Sequence, residues 1–274
     1  MAAADPDELG ADATREALRL LNALRLSIIG SISSAPEPLS GALFGLLREI
    51  DEQILTFQRE LTGAMGRHVE TAAAAGDEAV LDDLKAGGLQ PPLSYMGVDP
   101  VLVRTAADYV ADLVTGLASD ARQRISREIR LAALGGMSTT ELIDRIGRNL
   151  TDPSVFGTIA TRAEMIARTE VSRVRSMAFA DQSLEAAQRF PGLRKVWEHS
   201  SSSPGFTTFQ ARQSRPNHVR LWSETSANPI PVDAPFDLGN GITAMYPHDP
   251  VLPAKEVVAC RCRMRLVAPE PEEV

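Results

Sequence analysis

The residues best equipped for chemistry crowd into one stretch. From Trp197 to Cys262 the chain holds both cysteines, both tryptophans and three of the four histidines. Cys260 and Cys262 flank Arg261. In an extended strand alternate residues share a face, which sets the two thiols about 7 Å apart along one side. That spacing is wide for a disulfide, and it needs bending before both sulfurs reach one metal. Zinc asks for four donors, and His218 and His248 are the candidates in the same segment to complete a set with Cys260 and Cys262. The competing reading is plain packing, because buried free cysteine is common and C-x-C is not the usual C-x₂₋₄-C knuckle.

A second constellation is cationic. Arg215-Pro-Asn-His218 sets an arginine beside a histidine, the side chain that titrates nearest neutrality. Arg168-Thr169-Glu170 lies inside a long helical pattern. With Arg168 as anion binder and Arg215 and His218 at a phosphodiester, the three could serve a nuclease or group-transfer enzyme. No Ser/His/Asp set, carboxylate pair, P-loop or Gly-rich dinucleotide fingerprint accompanies them. The structural alternative is that Arg168 ties its helix to the C-terminal sheet and that His218 hydrogen-bonds backbone in a loop.

These candidates need a scaffold, and the composition supplies one. The chain has 274 residues, 44% hydrophobic and 5% aromatic, enough for a real core. Abundant alanine and leucine favour helix packing. A net charge of −8 argues against a protein that coats nucleic acid. No apolar run reaches the roughly 20 residues a spanning helix needs. The N-terminus lacks the basic region of a secretory signal, and a C-x-C pair cannot staple a secreted fold, so a reducing cytoplasm is the expected compartment.

Periodicity places the elements. Met1 to Asp12 reads as frayed. Leu18, Leu21, Leu24 and Ile28 mark a helix ending at Gly30. Leu39, Leu43, Leu46, Ile50 and Ile54 mark a second, which makes a hairpin whose apolar stripe needs cover. Residues 86–100 are a Gly/Pro-rich linker. A long helix follows, with Val110, Leu117 and Ile125 inside and Arg122, Arg124, Arg127 and Arg130 outside. Ser138 to Glu141 is a capping box. Another helix runs from about Phe156 to Arg189. Leu193 to His199 reads as a strand, Ser200 to Gly205 as a turn, and Gly239 to Gly241 as a tight turn. Lys255 to Val267 reads as one strand, with thiols on one face and Arg261, Arg263 and Arg265 on the other. The sum is an α+β chain: a helical N-terminal arm at 1–90, a linker and helical region at 91–155, and a C-terminal α+β module at 156–274.

Taken together, a Gly136-Met-Ser138 helix start, Ile166-Ala-Arg168-Thr169-Glu170, Trp197 on a strand, Arg215-x-x-His218, a Pro-rich approach and Cys260-Arg261-Cys262 resemble the phage Mu protein F-like minor head proteins of tailed bacteriophages. The resemblance covers about residues 100–267. It implies a non-enzymatic virion component, bound near the portal inside the capsid and active in head assembly, DNA packaging or ejection. Portal, capsid and scaffold proteins are the implied partners, with packaged DNA as a further contact. No cofactor is implied; zinc enters only through the cysteine and histidine set, whose alternative reading is a zinc-stabilised DNA-binding module. The site of action would be the host cytoplasm during assembly and then the virion.

Overall fold

The computed structural model describes residues 6–91, 97–199, 215–258 and 260–269. It is an α+β protein in which long helices precede a small antiparallel sheet. The chain forms two compact units, neither continuous in sequence. A helical unit takes Ala11–Arg67 and Ala107–Arg168, and a mixed unit takes Met1–Gly10, His68–Ala106 and Thr169–Val274. These divisions cross the expected boundaries near 90 and 155, because four long helices each contribute to both units. No described helix is long and apolar enough to cross a membrane.

The helical unit is built from α1 (Pro6–Ser34), α2 (Leu39–Ala86), α3 (Pro100–Gly135), α4 (Thr139–Ile146) and the start of α5 (Val155–Arg189). Helix α1 begins earlier than expected. Pro6 and the first-turn acids Asp7 and Glu8 suit a helix N-terminus, and Leu9 is buried. It also runs through Gly30, because Ile32 extends the buried stripe by one more turn. The arm's stripe is covered within the chain: Leu21, Leu24, Ile28, Leu46, Ile50 and Ile54 are all buried. Across α3 the buried face is Val110, Leu117, Ala121, Ile125 and Ile129. Two of the outer arginines are paired: Arg122 Nε donates to Asp51 at 2.7 Å and Arg124 Nε to Asp120 at 2.8 Å. Such exposed pairs contribute little to stability. Helix α4 opens with the expected capping box between Ser138 and Glu141.

The mixed unit holds β1 (Arg194–Glu198), α6 (Pro216–Ala227), β2 (Ile230–Pro231), β3 (Phe236–Gly239), β4 (Ile242–Ala244), α7 (Ala254–Val257) and β5 (Arg263–Val267). Strand β1 lies centrally, with β2 and β5 antiparallel on its two sides. The register runs from Arg194 opposite Val267 to Glu198 opposite Arg263. The outer edge of β5 is blunted by α2, where Asp83 Oδ2 accepts the Leu266 N–H at 2.8 Å. The β3–β4 turn is the expected one: Gly239, Asn240 and Gly241 all take positive φ. The turn expected at Ser200 to Gly205 lies outside the described residues.

Helices α2 and α5 meet closely at Gly76. A Cβ there would lie 2.4 Å from the Arg175 carbonyl oxygen and 3.0 Å from Ala178 Cβ. Alanine is the better helix former by about 1 kcal/mol, but the obstruction is backbone and cannot swing aside. Gly76→Ala should therefore lower the unfolding free energy by about 1–2 kcal/mol net, the cost of overpacking exceeding the gain in propensity. A urea melt that showed stabilisation would contradict the contact.

Lys195 is the largest anomaly in the mixed core. It is 1% exposed. Its Nζ donates to the Met245 carbonyl at 2.9 Å and sits 4.8 Å from the centre of the Phe236 ring. Burial pulls its pKa from 10.5 down to about 8, against the charges of Asp233 and Asp249, which raise it. The unfolded chain thus keeps this proton to higher pH than the folded chain, and Lys195 makes stability rise with pH between about 8 and 10.5. Lys195→Met should lose that rise. The wild-type advantage in unfolding free energy should grow across the window, by no more than about 3 kcal/mol. Parallel pH dependences in the two proteins would refute it.

Candidate metal centre

The stretch Lys255 to Val267 is not one strand. Pro253 sets the N-cap of α7, Val258 N–H closes on the Ala254 carbonyl, and Cys260 N–H on that of Val257. Arg215 holds this turn from outside: its Nε donates to the Lys255 carbonyl at 2.6 Å and its Nη2 to the Val258 carbonyl at 2.7 Å. With those carbonyls engaged, strand pairing begins only at Arg263. Cys260 and Cys262 therefore lie in a bent segment rather than along a pleat. The Cys262 N–H folds back to Cys260 Sγ at 3.4 Å.

That bend brings the thiols together on one imidazole. His218 Nδ1 stands 3.6 Å from Cys260 Sγ and 3.5 Å from Cys262 Sγ. All three donor atoms lie within 4.8 Å of one another, and all three residues are buried. His218 is delivered by α6, which the sequence left ambiguous between loop and short helix. Pro216 at the first turn starts that helix, and Thr225 locks it to the sheet by accepting the Trp197 N–H at 3.0 Å. Trp197 packs edge-on against the imidazole, with ring centres 5.0 Å apart.

Glu256, on α7, is the residue sequence reasoning missed. Its Oε2 accepts from His218 Nε2–H at 3.0 Å and from Asn217 Nδ2 at 3.1 Å. A carboxylate can only accept, so Nε2 of His218 carries a proton, and Nδ1 faces the two sulfurs. A carboxylate behind a histidine that faces thiols is the usual outer shell of a metal ligand. The available signal was a carboxylate four residues before Cys260 in an otherwise apolar run.

His248 borders the same cluster. It is 1% exposed, and its Nε2 donates to the Cys260 carbonyl at 2.9 Å. Its Nδ1 has no hydrogen-bond partner among the described residues. Burial lowers its pKa, but the adjacent Cys260 sulfur outweighs that and the net shift is upward. Cys260 is itself held well below the ordinary thiol value. The hydrogen bond with the Cys262 side chain lowers it most; burial opposes, and His248 and His218 lower it further. A thiol poised toward thiolate beside imidazole is what a soft or borderline cation takes up. His199 is buried nearby, stacked on Trp222 with ring centres 6.3 Å apart.

The other candidates fall elsewhere. Arg168 pairs with Glu164 on its own helix at 3.3 Å. The tie from α5 to the C-terminal module runs instead through Glu170 and Arg173. Arg173 binds the Glu170 carboxylate and donates from Nε to the His248 carbonyl at 3.3 Å. Burial pushes the Glu170 carboxyl up, while Arg173 pulls it down. Thr169 is buried on the same helix. Of the three arginines expected outward, Arg261 approaches Asp7 at 3.8 Å, Arg263 pairs with Glu198 across the strands, and Arg265 is exposed.

No family model matches this sequence, and neither the curated proteins nor the solved structures hold a match.

Proposed function

We propose that this chain is a non-enzymatic structural protein whose C-terminal module is held by zinc on His218, Cys260 and Cys262, and that it serves as a minor head protein of a tailed bacteriophage. The observation that carries the metal reading is the imidazole Nδ1 facing two thiols, with its other nitrogen hydrogen-bonded to a carboxylate. Zinc suits two sulfurs and imidazole in a tetrahedral site. When bound, it would cross-link α6 to the segment before β5. The cluster is buried, and Arg215 spends its donors on backbone carbonyls, which favours scaffold over catalysis. The assignment to the phage head rests on the Mu F-like order of motifs. On this reading the protein joins the portal and capsid in the host cytoplasm, stays in the virion, and meets packaged DNA there.

Two measurements test it. Elemental analysis of the purified chain should find one zinc per molecule. Co-expression with a portal protein and procapsid should retain the chain on them through purification; its absence from the assembled fraction would sink the head-protein reading while leaving the metal reading intact.

A further inference from the structure

We infer that a cavity in the mixed unit binds a small uncharged aliphatic aldehyde, and that Lys195 condenses with it as an imine. The inference goes beyond the structural role above and does not depend on the metal.

The cavity holds about 200 Å³. A space of that order admits a molecule a little larger than benzene, well short of a drug-sized ligand. Its lining is drawn from α3, α5, β1, β5 and the loops after β2 and β4, all within one unit. Met177, Met245 and Met264 line it with thioethers, and Leu184 adds an aliphatic wall. Methionine is soft and unbranched and shapes itself to an apolar guest. Lys195 is the cation of this lining.

The lysine is placed as a reactive group rather than as a surface charge. It stands on the central strand, opposite Ile230 on one side and Leu266 on the other, so its backbone is fixed. Of the three positions around Nζ, the Met245 carbonyl takes one at 2.9 Å, and the Phe236 ring faces another with its centre 4.8 Å away. Nζ has no other hydrogen-bond partner among the described residues, so the third position, proton or lone pair, is open to a guest. All but three of the chain's 28 basic side chains are arginine, yet lysine fills this buried position. A guanidinium stays charged, whereas a buried amine sheds its proton readily and attacks carbon. Burial lowers the Lys195 pKa to about 8, which leaves part of the amine neutral near neutral pH.

Charge selects the guest. Asp181 lines the cavity, and the charges of Asp233 and Asp249 act on the lysine, so a carboxylate would meet three acids. Tyr246, pushed up to about 12 mainly by burial, adds no charge. An uncharged carbonyl compound suits the amine without that conflict. The lone pair of the neutral amine forms a C–N bond to the carbonyl carbon, and one nitrogen proton passes to the oxygen. The hydroxyl then leaves as water with the second nitrogen proton as the C=N bond forms. No oxidant or reductant enters.

Hexanal is the probe, on the intact purified chain, with cyanoborohydride added to reduce any imine to a stable secondary amine. Lys85 and Lys255, the other lysines, are exposed and serve as internal controls. Peptide mass spectrometry should show hexyl addition at Lys195 that saturates at an aldehyde concentration lower than the controls need by about tenfold or more. Excess hexanol should slow the addition at Lys195 alone, and hexanoate should not. Leu184→Trp, which fills the cavity from a partly exposed position on α5, should suppress labelling at Lys195 and leave the controls and the circular dichroism spectrum unchanged. The wild-type comparison needs no variant to fold. Labelling of Lys195 no better than that of Lys85 and Lys255, or unchanged in a folded Leu184→Trp, overturns the site. Protection by hexanoate as strong as by hexanol overturns the choice of an uncharged guest.

Discussion

Stripping zinc from the loaded protein with a chelator should lower the melting temperature of the mixed unit by roughly 8–16 °C. A ligand present at 1,000 times its dissociation constant stabilises the folded state by about 4 kcal/mol. For a body of this size each kcal/mol moves the midpoint by about 2–4 °C. The effect should centre on α6, α7 and β5, because His218 lies on the first and the two thiols lie between the other two. Returning zinc should restore the midpoint, and magnesium should not, since thiolate and imidazole do not suit a hard cation. Calorimetry with and without chelator reads it directly. A midpoint that stays put while the metal is shown to have left would mean that packing alone holds the module.

The second large effect should come from Trp197. It is wholly buried, with Phe236 edge-on at 5.2 Å between ring centres and His218 at 5.0 Å. Trp197→Ala should cost about 3–5 kcal/mol, the range for emptying a large aromatic site in a core. It should also weaken zinc binding, because the ring is one wall of the imidazole's position. Trp197→Phe should cost much less. The indole N–H has no partner among the described residues, so its removal leaves no new unpaired group. Urea midpoints, with the slope checked for constancy, separate these outcomes. Equal losses for the two variants would show that the indole nitrogen matters in a way the structure does not explain.

Much of the helical architecture is readable from period alone. Leu21, Leu24 and Ile28, or Ile50 and Ile54, repeat at helical spacing, and all lie in the core. The capping box at Ser138 and the Gly239–Gly241 turn are local chemistry, which short windows carry well. The run Lys255 to Val267 misleads for a physical reason. Its alternation is real only from Arg263 onward, and before that the backbone carbonyls bind Arg215, a partner 40 residues away in sequence. No window around the cysteines contains that information. The same distance hides Glu256, whose importance comes from its contact with His218. Residue types alone could nominate Cys260, Cys262 and His218 together. Extended-strand geometry, however, spaced the sulfurs too widely, and only the bend brings them to one imidazole. The division at 90 and 155 differs from the two units because helical periodicity assigns each helix to a single domain, whereas α1, α2, α3 and α5 each serve two.

That shared use of helices carries a consequence for the chain as it is synthesised. His68–Ala106 leaves the ribosome well before Thr169–Val274, yet both belong to one body. Gly76 and its neighbours on α2 must therefore wait, apolar side uncovered, until Phe179 on α5 arrives to pack against them. The helical unit has all its parts once Arg168 has emerged; the other does not until β5 has been translated. The natural order of birth is helical body first and sheet last. The same interleaving means that a fragment cut at residue 156 would carry the cysteines and histidines without the α2 segment against which their scaffold is built.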